Sequence, residues 1–118
     1  MNGKTYTFTY TAVTQAQREA GLSDRKVTNM TTMLFAFPYS SEWQFWMYRT
    51  NSSLDIVWVR GTNASGTVVY LVASAPSCSS LIYCPRYTPD SPANFAIEAK
   101  SGFVSANGIV VVTPVTFG

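Results

Sequence analysis

Residues 43–59 leave the chain no polar face to turn toward water, and this limits the fold more than any other stretch. Strand side chains alternate, so Trp43, Phe45 and Met47 point one way and Gln44, Trp46 and Tyr48 the other. After a short polar connection, Leu54, Ile56 and Trp58 share one face, while Asp55, Val57 and Val59 share its reverse. The pattern predicts a hairpin of two strands, largely apolar on both sides. Such a hairpin needs cover above and below, as in the core of a sandwich or a barrel.

The remaining segments supply that cover. Residues 4–13 alternate strictly, with Thr5, Thr7, Thr9 and Thr11 set against Tyr6, Phe8, Tyr10 and Ala12. This predicts a half-buried strand whose threonine face meets solvent or a sheet edge. Thr14 and Gln17 have capping-box spacing and open a short helix through Ala20, which Gly21 ends; Leu22 then packs on the core. Further strands are expected at 33–37, ended by Pro38, at 67–75 after a turn at 61–66, and at 95–99. Between the last two, Pro76, Pro85, Pro89 and Pro92 oppose regular structure. One or two helical turns over 101–107, closed by Gly108, precede a final strand over 109–117, where Pro114 signals an edge or a bulge. Strands dominate, and both helices are short. The expectation is one domain over residues 1–118, mainly β: an antiparallel sandwich or a partly open barrel.

Composition narrows the chemistry. Charged residues are only 12% of the 118 residues, about half the usual share, and Ser, Thr, Asn and Tyr supply the polarity in a manner typical of extracellular proteins. The net charge of +2 comes from eight Lys and Arg against six Asp and Glu. These charges are scattered, whereas nucleic-acid binding needs a clustered basic face. The absence of histidine excludes His-based triads, His general bases and His metal sites, and no cofactor or metal is implied. Cys78 and Cys84 do not form a CxxC motif, and two thiols cannot complete a zinc site. A local disulfide is the preferred reading. It would contribute about 2 kcal/mol and implies an oxidising compartment or a hyperthermophilic source; a pair of free buried thiols in a cytosolic small-molecule binder is the alternative. The longest apolar run, residues 68–73, is far too short to span a bilayer, and the opening residues carry no signal-peptide pattern. Sequons at Asn29, Asn51 and Asn63 fall in predicted loops and agree with an extracytoplasmic setting.

Several motifs, taken in order, resemble one family. Arg18 with Gly21-Leu22-Ser23-Asp24-Arg25, then Met33-Leu34-Phe35-Ala36-Phe37, then Phe45-Trp46-Met47 followed by Leu54-Asp55-Ile56 are similar to the family known as domain of unknown function 192 (DUF192). The likeness continues through Cys84-Pro85-Arg86-Tyr87 and residues 97–103 to Gly108-Ile109, roughly positions 4 to 112 in all. The resemblance implies a small, mainly β domain of sandwich or jelly-roll type, found in bacteria and archaea and often exported or membrane-anchored, with no established activity. The chain departs from the family pattern at Tyr48-Arg49, where members carry Lys-Asn, at Ser52-Ser53, where they carry Ile-Pro, and at Val112-Thr113, which replaces Gly-Asp.

Candidate site residues follow from polar or aromatic groups in apolar settings. Asp55 at the start of a buried strand must be paired or hydrogen-bonded. Its structural reading is acceptance of backbone N–H bonds from the turn at 50–53, or a pairing with Arg25 or Arg49; its functional reading is a ligand-binding or catalytic acid. Glu98, between Ile97 and Ala99, raises the same question, and together the two acids would make a glycosidase-like pair if they shared a cleft. Arg25 and Arg49 are candidates for binding an anion. Trp46, Tyr48 and Tyr87 are candidate aromatic platforms for a sugar or peptide, against a core-packing role. The preferred reading is a non-enzymatic, extracytoplasmic domain for binding or assembly at the cell surface. It would act through a protein partner, self-association or a glycan. The alternative is a carbohydrate-directed hydrolase or lyase using Asp55 and Glu98.

Overall fold

The computed structural model describes residues 1, 3–80 and 82–117. Eight strands and two short helices follow in the order β1 (Tyr10–Ala12), α1 (Gln15–Ala20), β2 (Thr32–Ser41), β3 (Phe45–Trp46), β4 (Leu54–Gly61), β5 (Ser65–Ala75), β6 (Arg86–Tyr87), β7 (Ala93–Lys100), α2 (Phe103–Ala106) and β8 (Pro114–Thr116). Six of the strands form one curled, open sheet in the order β1-β2-β7-β4-β5-β8, and β3 with β6 forms a separate ribbon. The fold is thus mainly β with two short helices. Of the expected architectures the partly open barrel is the nearer one, since the strands do not divide into the two packed sheets of a sandwich or jelly roll. β1 and β2 pair in parallel, as does the isolated bridge between Tyr48 and Cys78; the other described ladders are antiparallel.

β4 is the centre of the sheet, hydrogen-bonded to β7 on one side and β5 on the other. Leu54, Ile56 and Trp58 join a core with Leu22, Met33, Phe35, Phe45 and Met47 on the face that carries α1. Val57 and Val59 join Ile97, Val104, Ile109 and Val115 on the opposite face, which carries α2. A strand apolar on both sides is therefore buried on both sides. Each of these large side chains contributes about 1.5–3 kcal/mol by leaving water.

The predicted hairpin of residues 43–59 does not form. Both edges of β4 are taken by β5 and β7, so Phe45 and Trp46 pair instead with Tyr87 and Arg86. The connection from β3 to β4 turns away through Arg49, whose φ of 59° lies in the left-handed region. Three other boundaries also differ from expectation. Within residues 4–13 only Tyr10–Ala12 is strand, although exposure still alternates along the whole arm. Tyr6 and Phe8 pack on the α2 face and Tyr10 and Ala12 on the α1 face, so this arm wraps the sheet edge rather than extending it. Pro38 lies inside β2, where the register with β7 shifts between Ala36 and Ser41 and no ladder N–H is demanded of it. The last strand shortens to Pro114–Thr116, at the sheet edge, because residues 108–113 form a turn in which Val112 has a φ of 71°.

α1 follows its sequence signal. Gln17 N–H donates to Thr14 Oγ1 at 3.1 Å, and Thr14 N–H donates back to Gln17 Oε1 at 3.1 Å. Gly21 closes the helix at a φ of 50°, and Leu22 is buried directly after it. At the β4–β5 turn Gly61 opposes Gly66, where a Cβ on Gly61 would collide with the Ser65 carbonyl oxygen.

Candidate functional site

The two buried acids come from neighbouring strands, yet they have different roles. Asp55 lies opposite Ala99 and Ile56 opposite Glu98, and strand alternation therefore sends the two carboxyls to opposite faces of the sheet. Asp55 is 1% exposed and accepts three backbone N–H bonds: from Ser74 at 2.7 Å, Gly102 at 3.2 Å and Val104 at 2.8 Å. Gly102 offers α2 no side-chain cap, so Asp55 supplies the acceptor for that helix start from a distant strand. Its partners are not the turn at 50–53, Arg25 or Arg49. Those arginines are spent elsewhere: Arg49 pairs with Asp24 at 2.9 Å on the surface, and the Arg25 guanidinium lies 4.2 Å from the centre of the Tyr10 ring.

Glu98 is on the α1 face, 3% exposed, and no ion pair or hydrogen bond to it is seen among the described residues. Burial pushes its carboxyl up to about 8 from an ordinary 4.5, so it carries its proton at neutral pH. It forms the floor of a cavity of about 650 Å³, within the range of small-molecule sites. α1 contributes Arg18 and Glu19 to the wall, and the β6 strand contributes Arg86. Phe37, Tyr39 and Trp43, with Phe45 and Trp46 of β3, add five aromatic side chains to the lining. Gly21 lies beside the acid, with its Cβ position 3.5 Å from Glu98 Oε1, an ordinary contact, and it is the φ of 50° that favours glycine there.

The walls are held in place. Phe37 stacks on Trp43 with centroids 4.6 Å apart, and Phe45 meets Phe35 edge-on at 4.9 Å. The Trp43 indole donates to the Tyr39 carbonyl at 3.0 Å, while the buried Trp58 indole donates to the Trp43 carbonyl at 2.9 Å. Arg18 donates to the carbonyls of Val13 and Ala36 and lies over Phe37 at 5.6 Å. Arg86 lies over Trp46 at 4.3 Å. A second hollow, of about 740 Å³, opens on the α2 face between the N-terminal arm and β8. Its lining includes the Met1 amino group, which donates to the Lys4 carbonyl at 3.1 Å, and the Tyr6 hydroxyl, which donates to Asn107 Oδ1 at 2.7 Å, but no carboxyl side chain.

The structure thus brings Trp46 and Glu98 to one cavity and leaves the other candidates outside its lining. The Tyr48 ring tilts against Trp46 at 5.1 Å. Tyr87 is half-buried against the α1-face core rather than exposed as a platform. Asp55 and Glu98, considered as an acid pair only if they shared a cleft, face opposite sides of the sheet. Arg18, Glu19, Phe37, Trp43 and Arg86 are cavity residues that periodicity did not nominate, because their segments meet only in three dimensions. The signal nearest to hand was Gly21, a helix stop followed at once by a buried leucine. Cys78 and Cys84 are joined, with Cα atoms 5.9 Å apart. Asn29, Asn51 and Asn63 are exposed, although the Asn51 amide donates to the Arg25 carbonyl at 2.9 Å.

The sequence matches the profile of the DUF192 family, described as an uncharacterized ACR, over residues 1–117. No curated protein matches it. Two solved structures share its fold. One is a protein of unknown function from Novosphingobium aromaticivorans DSM 12444, with a TM-score of 0.78 and 22% identity over 93% of this chain and 76% of that one. The other, described as a candidate transcription regulator, is from Sinorhizobium meliloti 1021, with a TM-score of 0.79 and 24% identity over 97% of this chain and 85% of that one. At these identities the likeness carries the fold alone.

Proposed function

The chain belongs to the DUF192 family, and on that premise we propose that it is a binding domain working outside the cytoplasm, holding one ring of a glycan under α1 without transforming it. One arrangement carries this reading: the buried Glu98 carboxyl, with no partner among the described residues, lies at the floor of a cavity whose wall includes five aromatic side chains. Aromatic faces offer apolar contact to the C–H faces of a sugar ring, and a lone buried donor fixes its orientation. Hydrolysis by two carboxyls is disfavoured because Asp55 faces the other way, bound to three backbone N–H groups. The disulfide and the exposed sequons support an oxidising, extracytoplasmic setting. No helix among the described residues is long and apolar enough to cross a membrane.

The test is two-dimensional amide NMR with a panel of monosaccharides. Binding in the cavity shifts the amides of residues 18–23, 43–46 and 98, and Trp43→Ala weakens it at least tenfold. Shifts confined to the α2 face, or turnover of a glycan during the titration, count against the proposal.

A further inference from the structure

We propose that the ring is an acidic one, a uronic acid unit whose carboxylate faces Arg18 and Arg86 while one of its hydroxyl or ring oxygens accepts from Glu98. This rests on the glycan-binding reading above and adds the chemical class of the ligand. Three features of the cavity lead to it. Its floor offers a donor, because the buried Glu98 carboxyl holds its proton and meets no acceptor among the described residues. Its walls carry two guanidinium groups, Arg18 and Arg86, against one carboxylate, Glu19, so the lining is net positive while Glu98 is neutral. Glu19 already accepts from the Gln15 amide at 3.1 Å.

Burial moves the Glu98 carboxyl, and Arg18 and Arg86 line the same cavity. A single ligand in this cavity can meet the floor acid and the wall arginines together. An uncharged sugar would engage the floor and leave the guanidinium charges uncompensated, since Arg18 meets two neutral carbonyls and the Phe37 ring and Arg86 lies over Trp46. A cation would meet two positive charges at the wall and would have to strip Glu98 of its proton. An acidic sugar uses both ends, and charge-assisted hydrogen bonds of the Arg–carboxylate kind are about twice as strong as neutral ones.

A pH dependence follows. Above about 8 Glu98 ionises, loses its donor and repels the ligand carboxylate, so affinity falls by up to about tenfold per pH unit. The other titratable or charged groups near the cavity are Arg18 and Glu19 of α1, Tyr39 of β2, Arg86 of β6, and Lys100 two residues along the same face of β7.

The experiment is titration of the intact, disulfide-bonded protein with D-glucuronate and with D-glucose at pH 6.5 and pH 9.5, followed by amide shifts of the cavity residues. D-Glucuronate is expected to bind about tenfold or more tightly than D-glucose at pH 6.5 and to weaken more than tenfold at pH 9.5. Glu98→Gln, whose amide donates at every pH, is expected to bind D-glucuronate with no loss between the two pH values. Arg86→Ala, at an exposed position, is expected to bring D-glucuronate down toward D-glucose. Equal affinity for the two sugars overturns the acidic-ligand inference and leaves the glycan reading standing. A pH dependence that persists in Glu98→Gln overturns the role given to Glu98. Failure of both sugars to shift any cavity amide overturns both readings together.

Discussion

Glu98 links the cavity to folding through its proton. In the unfolded chain this carboxyl ionises near 4.5, but in the folded protein it does so only near 8. Below 4.5 both states are protonated and the group adds no pH dependence. Between the two values the unfolded chain has lost a proton that the folded one keeps, so stability falls as pH rises, by about 1.4 kcal/mol per unit at most. Above 8 both states are ionised and the full cost is present. Glu98→Gln should flatten this decline, matching the parent near pH 4 and exceeding it by a few kcal/mol at pH 8. Urea melts from pH 4 to 9 would measure this, and parallel slopes for parent and variant would mean that the carboxyl is solvated. Asp55 is the opposite case: an equally buried acid whose three N–H donors make it an acceptor for the start of α2. From sequence the two were indistinguishable, each an acid between apolar strand neighbours. What separates them is the loop that each strand face meets.

At the scale of elements, local signals were reliable where one segment satisfied itself. The capping box of α1 closes within four residues, and the glycine pair at the β4–β5 turn answers a contact between near neighbours. The β3 strand was misjudged because its partner is remote. The disulfide loop runs along residues 45–49: Cys78 N–H donates to the Met47 carbonyl at 3.1 Å, Arg49 N–H donates to the Cys78 carbonyl at 2.9 Å, and β6 follows Cys84 to pair with β3. This loop therefore secures one wall of the cavity. Reducing the disulfide should cost about 2 kcal/mol, with amide exchange quickening at residues 45–49 and 86–87 while β4 and β7 keep their protection. Equal acceleration across the sheet would show instead that the ribbon is part of the global folding unit.

At the scale of the whole molecule, an open sheet must deal with its two edges. Both are three-residue strands, β1 and β8, and β8 contains Pro114, which has no N–H to offer a neighbour. Assembly by strand addition is therefore poorly served, and sedimentation at tens of micromolar should give a single species near 13.0 kDa. A dimer that dissociates when β8 is altered would favour assembly at the cell surface over ligand binding. The sequence by itself determined the β-rich class, the α1 helix with its caps and the two-sided burial of β4, since each depends on period-two alternation or on residues only a few positions apart. Only the tertiary structure decided that residues 43–59 part into a ribbon and a central strand, that the two acids face away from each other, and that one of them floors an aromatic cavity. Those outcomes depend on which strands take the edges of β4 and on which face each loop folds over, and long-range pairing of this kind leaves no local pattern.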